Sequence, residues 1–254
     1  MLPSLSLLLS LSACTPTSTI DGKVVDIWGN PIEGATVMVV GGSERPLTDA
    51  DGRYHLLRVD GQLEIKAGRK GYIQDHAELD VKAGELPSGP LFQLYPKPEA
   101  PGFWLVTPGK YVRLDQRLVH SVGNNLRTVR GIQSLGDAEA EVEQPKIVFH
   151  TELRQDELER IGLELHRLKF VDETQLTAVT GQTAVSVNLY VDDGEVPIDV
   201  SPLRSKTDYL VTPKEPLKPG GYAFQTQELL SPGENDRFDE IPEELRIVFA
   251  FGVR

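Results

Sequence analysis

The chain has 254 residues, enough for one large or two modest domains with buried cores. Its 39% apolar and 25% charged residues lie far from the disordered regime. The net charge is −12, and no basic stripe breaks it, so the composition argues against a nucleic-acid partner.

The N-terminus carries the first signal. Leu2 to Leu11 form a leucine-rich run of 10 residues, followed by Ser12, Ala13 and the chain's single cysteine, Cys14. A membrane span needs roughly 20 apolar residues, so this run fits the hydrophobic stretch of a signal peptide instead. One cysteine cannot form an intramolecular disulfide. The string Leu11-Ser12-Ala13-Cys14 resembles a bacterial lipobox, although no Lys or Arg precedes the apolar run. The resemblance implies removal of residues 1–13, acylation of Cys14 and attachment to a lipid bilayer. Several acyl chains make such a tether stable, because each buried methylene contributes about 0.8 kcal/mol. Residues 14–17 then form the lipidated cysteine and a polar spacer. No Asp follows the cysteine, which under the resemblance favours the outer membrane of a Gram-negative bacterium.

Residues 18–97 show short strand signals at regular spacing. Ile20–Ile27, Ala35–Val40, Tyr54–Val59, Leu63–Ala67, His76–Val81 and Leu91–Tyr95 are separated by Gly-, Pro- and Asp-rich turns. That punctuation predicts a sandwich or barrel. Arg69-Lys70, the tightest basic cluster, reads as a solvated turn.

Three segments carry a more specific pattern. Gly22-Lys23-Val24-Val25-Asp26, Gly29-Asn30-Pro31-Ile32-Glu33-Gly34-Ala35-Thr36-Val37 and Thr48-Asp49-Ala50-Asp51-Gly52-Arg53-Tyr54 resemble the carboxypeptidase regulatory-like domain family. Arg69-Lys70-Gly71-Tyr72 fits the same pattern. The resemblance implies a seven-stranded, transthyretin-like Greek-key sandwich. Asp49-x-Asp51-Gly52 also hints at calcium, but the sixth position counted from Asp49 is Tyr54, where an EF-hand loop needs glycine. A turn is the better reading.

The proline-rich stretch 96–102 marks a boundary, and residues 98–254 read as a larger, mainly-β sandwich. Phe103–Leu114 brackets a Pro108-Gly109 turn; Lys146–His150, Gly162–Val171 and Thr183–Val191 follow. Asp192-Asp193-Gly194 predicts a hairpin turn into Val196–Val200. Tyr209–Val211, Gly221–Gln225 and Leu245–Val253 complete the strands. A short helix is expected at Gln155–Ile161, capped by Asp156 with Glu159 three residues on. Leu217-Lys218-Pro219-Gly220-Gly221-Tyr222-Ala223 resembles a turn in many bacterial β-sandwich modules that delivers a tyrosine into the penultimate strand.

No catalytic residue, cofactor site or metal site is expected. The histidines His55, His76, His120, His150 and His166 show no ligand spacing, and no nucleophile elbow or phosphate-binding loop occurs. Carboxylates in Glu139–Glu143 and Glu234–Glu240 leave a paired-acid hydrolase open, since the necessary geometry is not legible in sequence. Trp28 is the one candidate ligand contact. At its turn the ring can be exposed for stacking on sugar, or folded over its own domain.

The expectation is therefore an all-β protein with two sandwich domains: a non-enzymatic, lipid-anchored envelope protein acting as a structural or protein-binding module. A glycan-binding surface module, or a hydrolase with an acidic site, is the alternative. The partner, protein or glycan, is not specified.

Overall fold

The computed structural model describes residues 19–85, 87–124, 127–176, 184–226, 228–231 and 238–254. The expected signal peptide, Cys14 and the spacer lie outside the described residues. The chain divides into two compact units between Tyr95 and Pro96, two residues before the boundary read from sequence. Among the described residues no helix is long and apolar enough to cross a membrane.

Alternation of apolar and polar residues builds the first unit. Its strands are β1 (Thr19–Asp26), β2 (Thr36–Val39), β3 (Arg53–Leu57), β4 (Gly61–Gly68), β5 (Asp75–Val81) and β6 (Ser88–Leu94). They form two three-stranded sheets, ordered β3-β1-β6 and β2-β4-β5. β1 runs antiparallel to β3 and parallel to β6. Between the sheets lie Ile20, Val24, Tyr54, Leu56, Phe92 and Leu94 from one side. Val37, Leu63, Ile65, Ala67 and Val81 meet them from the other. Each fully buried aliphatic or aromatic side chain here contributes about 1.5–3 kcal/mol.

All six strands read from sequence are present, but the seventh that the resemblance implies is reduced. Residues 46–48 run beside β2 as one isolated bridge, Thr36 to Leu47. Pro46 accepts from the Val37 amide but has no N–H to continue a ladder.

The motif residues build turns. Asp26 Oδ1 accepts from the amides of Trp28 and Asn30, both at 2.9 Å. Asp49 Oδ1 does the same for Asp51 and Arg53, which closes the second turn on itself. Buried Thr48 accepts from the Ala35 amide and donates to the Ile32 carbonyl. Gly52 has φ 75°, and a Cβ there would run into the Val24 carbonyl.

The second unit packs a five-stranded sheet on an eight-stranded one. The smaller has the order β16 (Ile198–Pro202), β17 (Asp208–Pro213), β13 (Ile147–His150), β7 (Gly102–Thr107), β8 (Lys110–Arg113). The larger runs β10 (His120–Asn124), β11 (Arg127–Ile132), β15 (Ala184–Val196), β14 (Glu164–Leu176), β18 (Gly220–Gln225), β19 (Ile247–Val253), β12 (Glu139–Ala140). β9 (Asp115–Leu118) also pairs with β19. Among the described residues the one α-helix, α1, is Gln155–Ile161, over the residues expected.

Phe103 centres the core between these sheets. Its ring stacks on Phe149 at 4.2 Å and on Phe224, from the opposing sheet, at 4.6 Å. β19 is apolar on both faces because both are covered. Phe251 and Val253 face the inter-sheet core, while Val248 and Ala250 join an outer cluster with Leu229, Leu230 and Phe238. Tyr222 lies in the penultimate strand, is buried, and donates to the Lys218 carbonyl at 2.7 Å.

Three local expectations are corrected. Asp192-Asp193-Gly194 is not a hairpin turn but a bulge inside β15, where the β14 register shifts between His166 and Leu168. α1 begins two residues earlier than an Asp156 cap would allow. Arg154 holds the N-cap position, and its amide donates to Glu157 at 2.8 Å. The last strand starts at Ile247, because Glu243–Leu245 forms a 3-10 turn.

Candidate functional site

The outward-facing residues of β2 and β4 line an open cleft of about 730 Å³ in the first unit. Val37, Ile65 and Ala67 point into the core, so strand alternation turns Thr36, Met38 and Lys66 outward. The β4–β5 turn adds Arg69, Lys70 and Tyr72, and Arg45 closes the rim. Among the described residues no Asp or Glu lines the cleft.

The four cations are held differently. Arg69 Nη1 donates to the Gly34 carbonyl at 2.6 Å, and a Cβ at Gly34 would collide with that guanidinium. Arg45 Nη1 donates to the Met38 sulfur at 2.7 Å, a weak acceptor. Lys66 pairs with Glu64, outside the cleft, at 3.1 Å. Lys70 is exposed at the turn between β4 and β5. A cleft whose walls carry one sign of charge concentrates counter-ions, even on a protein of net charge −12.

A second recess, of about 440 Å³, lies where β2 and β3 end. Val40, Leu57 and Val59 line it and are 43%, 50% and 52% exposed, which makes it an apolar surface patch.

Two histidine–carboxylate clusters occupy the second unit, built around the buried His166 and Asp208. His166 Nδ1 sits 2.8 Å from Asp192, and Nε2 lies 3.1 Å from Glu164. Gln225 Nε2 donates to Glu164 at 2.9 Å, and its oxygen accepts from the Leu230 amide. The Ser231 hydroxyl donates to Asp192 Oδ2, while the His166 ring meets Oδ1 of the same carboxylate. Burial alone would disfavour the charged imidazole, but the hydrogen bonds and charges of Asp192 and Glu164 together raise the His166 pKa. Burial also opposes the Asp192 carboxylate; hydrogen bonds from His166, Ser231 and the Gly194 amide overcome this and hold it at about 2.

The second cluster is His150 and Asp208, 2.8 Å apart. Ser205 donates to the other Asp208 oxygen at 2.5 Å and accepts from the Asp208 amide. Both oxygens of Asp208 and both ring nitrogens of His166 have partners inside their clusters. A cleft of about 510 Å³ in this unit is lined by His120, Glu243 and Arg246, Glu243 being the one carboxylate among the described lining residues. Among the described residues no group of three or more His, Cys, Asp or Glu side chains is arranged to hold a metal ion.

Trp28 and Trp104 are both half-buried. Trp104 Nε1 donates to the Ala100 carbonyl at 3.0 Å, and the Arg113 guanidinium lies 5.8 Å from its ring. Trp28 is not part of the cationic cleft. The sequence reading took Arg69 and Lys70 for a solvated turn and Tyr72 for part of a family motif, and it did not single out Arg45 or Lys66. The outward phase of β4 was the signal for Lys66; no sequence signal brings Arg45 to Met38.

An all-β protein with sandwich architecture is thus defined by the two units, with the open cleft on the first. Residues 19–88 match the family model of the carboxypeptidase regulatory-like domain. A search of curated proteins finds no match to this chain.

Proposed function

We propose that the chain is a non-enzymatic binding protein, tethered to a bacterial membrane through acylated Cys14, whose first domain presents its surface to a partner in the envelope. The observation that supports this reading most is a contrast between polar groups. In the second unit the buried His166 and Asp208, with the half-buried Asp192, direct their side-chain polar atoms into internal hydrogen bonds. The open recesses of the first unit instead carry cations and apolar side chains turned to solvent. Catalysis needs convergent, accessible titratable groups, whereas recognition needs exposed complementary surface.

The apolar patch at Val40, Leu57 and Val59 favours a protein partner, as obligate solvent exposure of three neighbouring apolar side chains gains from being covered. The test is membrane fractionation beside a Cys14→Ala variant, followed by cross-linking on the membrane and repetition with Leu57→Asp. Membrane association lost in the first variant and cross-linked neighbours lost in the second are expected. A native chain found wholly in the soluble fraction overturns the tether, and neighbours unchanged by Leu57→Asp overturn the patch.

A further inference from the structure

We infer that the cationic cleft of the first domain is a binding site for an acidic carbohydrate, a sugar chain carrying carboxylate or phosphate groups. The inference deepens the binding reading above but does not rest on the membrane tether.

Charge gives the first part of the ligand. Arg45, Lys66, Arg69 and Lys70 surround one cleft, and among the described residues no carboxylate lines it. Arg45 has a thioether as its acceptor, far poorer than an oxyanion, so an incoming anion replaces a weak contact with a charge-assisted one. Arg69 is already positioned by the Gly34 carbonyl, which leaves other N–H groups of its planar fork for a ligand and lowers the ordering cost. Lys66 shares its charge with Glu64, both side chains 40% exposed, so this pair is weak and open to exchange.

The remaining lining points to a sugar rather than a bare anion. Tyr72 is half-buried against the domain core and presents an aromatic wall to the cleft. Aromatic rings pack against flat apolar faces such as the C–H face of a pyranose, while the phenol supplies a polar tip. Thr36 and Gln74 add a hydroxyl and an amide, which can both donate and accept as sugar hydroxyls do. At about 730 Å³ the cleft has room for more than a single monosaccharide, and its open form suits a chain that enters and leaves. A lone phosphate would use the cations and leave Tyr72, Thr36 and Gln74 without a role. An acidic peptide would use the cations and ask for free backbone edge, yet residues 46–48 already bridge the start of β2.

Titration calorimetry on the full chain at low salt tests this, with polygalacturonate as the acidic sugar chain. Neutral dextran, inorganic phosphate and polyglutamate are the comparison probes. Binding of polygalacturonate at least about ten-fold tighter than of each of the other three is expected. Lys70→Glu and Arg45→Glu should each weaken it by about ten-fold, the loss expected when one close charge contact turns repulsive. Both side chains are exposed, so unchanged circular dichroism and Tm separate lost binding from lost folding. Tyr72→Phe keeps the ring and should weaken binding less than either reversal. Equal affinity for polyglutamate overturns the carbohydrate and makes an acidic peptide the ligand. Equal molar affinity for phosphate reduces the cleft to a simple anion site, and affinity unchanged in both charge reversals removes the cleft altogether. These outcomes stand apart from failure of the tether or the apolar patch, neither of which enters the titration.

Discussion

The ring of Tyr54 occupies the space that a side chain on Gly22 would need. The two residues are paired across β1 and β3, and a Cβ at Gly22 would overlap the phenol. Gly89 is subject to the same constraint from the other side. The hydroxyl reaches past both glycines to donate to the Pro90 carbonyl at 2.8 Å, tying β3 to β6 across the central strand. Burial, with the charge of Asp21 assisting, pushes its pKa up and keeps it a donor.

Gly22→Ala should therefore destabilise the first domain by about 1–3 kcal/mol, since a buried ring cannot swing aside. Tyr54→Phe should cost roughly 1 kcal/mol, leaving the Pro90 carbonyl unpaired. Urea denaturation of each variant and of the double variant measures both. The Gly22→Ala cost should persist in the Tyr54→Phe background, because the ring remains.

Phe103→Ala should be the most damaging single change in the second domain. It removes one ring from a stack that joins Phe149 to Phe224 across the two sheets, at a cost of about 3–5 kcal/mol. Thermal unfolding should show a lowered transition for that domain, while Phe103→Leu recovers most of the loss.

The His166 cluster should make stability depend on pH in two windows. The folded His166 pKa lies above the usual 6.5, so its contribution is complete below pH 6.5 and is lost as pH rises through the folded value. The folded Asp192 pKa is about 2 against 3.8, so its contribution is present above pH 3.8 and fades as pH falls toward 2. His166→Gln should abolish the upper window and cost about 3 kcal/mol, because Asp192 and Glu164 lose the cation between them. Urea midpoints of both proteins across pH 5 to 9 provide the comparison; parallel curves would count against the linkage.

Phe238 should act as a pin for the segment covering the large sheet. The guanidinium groups of Arg130 and Arg246 lie 4.1 Å and 4.4 Å from its ring, on a residue that is 1% exposed. Each such contact is worth about 0.5–2 kcal/mol, increasing as the pair is desolvated. Phe238→Leu keeps the bulk and loses both contacts. Hydrogen exchange should then accelerate at Leu229 and Leu230, with β7 and β13 unchanged.

Legibility followed the range of the interactions. In the first domain, the six strands and their turns were readable because Asp26, Asp49 and Gly52 act on amides only a few residues away. Helix α1 was readable for the same reason. Residues 115–145 were not, although they contain β9 to β12. Their strands are short and polar, and they exist because β19 and β15 offer edges to pair with. Asp192-Asp193-Gly194 has the composition of a hairpin turn, yet Asp192 is committed to His166, 26 residues away, and the chain bulges instead of reversing. The cationic cleft was not legible as a site, and its one visible cluster read as a solvated turn. Arg69 and Lys70 are adjacent in sequence, whereas Lys66 and Met38 meet only through the β2–β4 register.

The central claim is that this is a tethered binding protein, and intact mass of the native protein purified from membranes tests it most directly. The account predicts a chain that begins at Cys14, carries the added mass of acyl groups, and leaves the membrane in the Cys14→Ala variant. An unmodified chain that retains residues 1–13 and stays in the soluble fraction would contradict it.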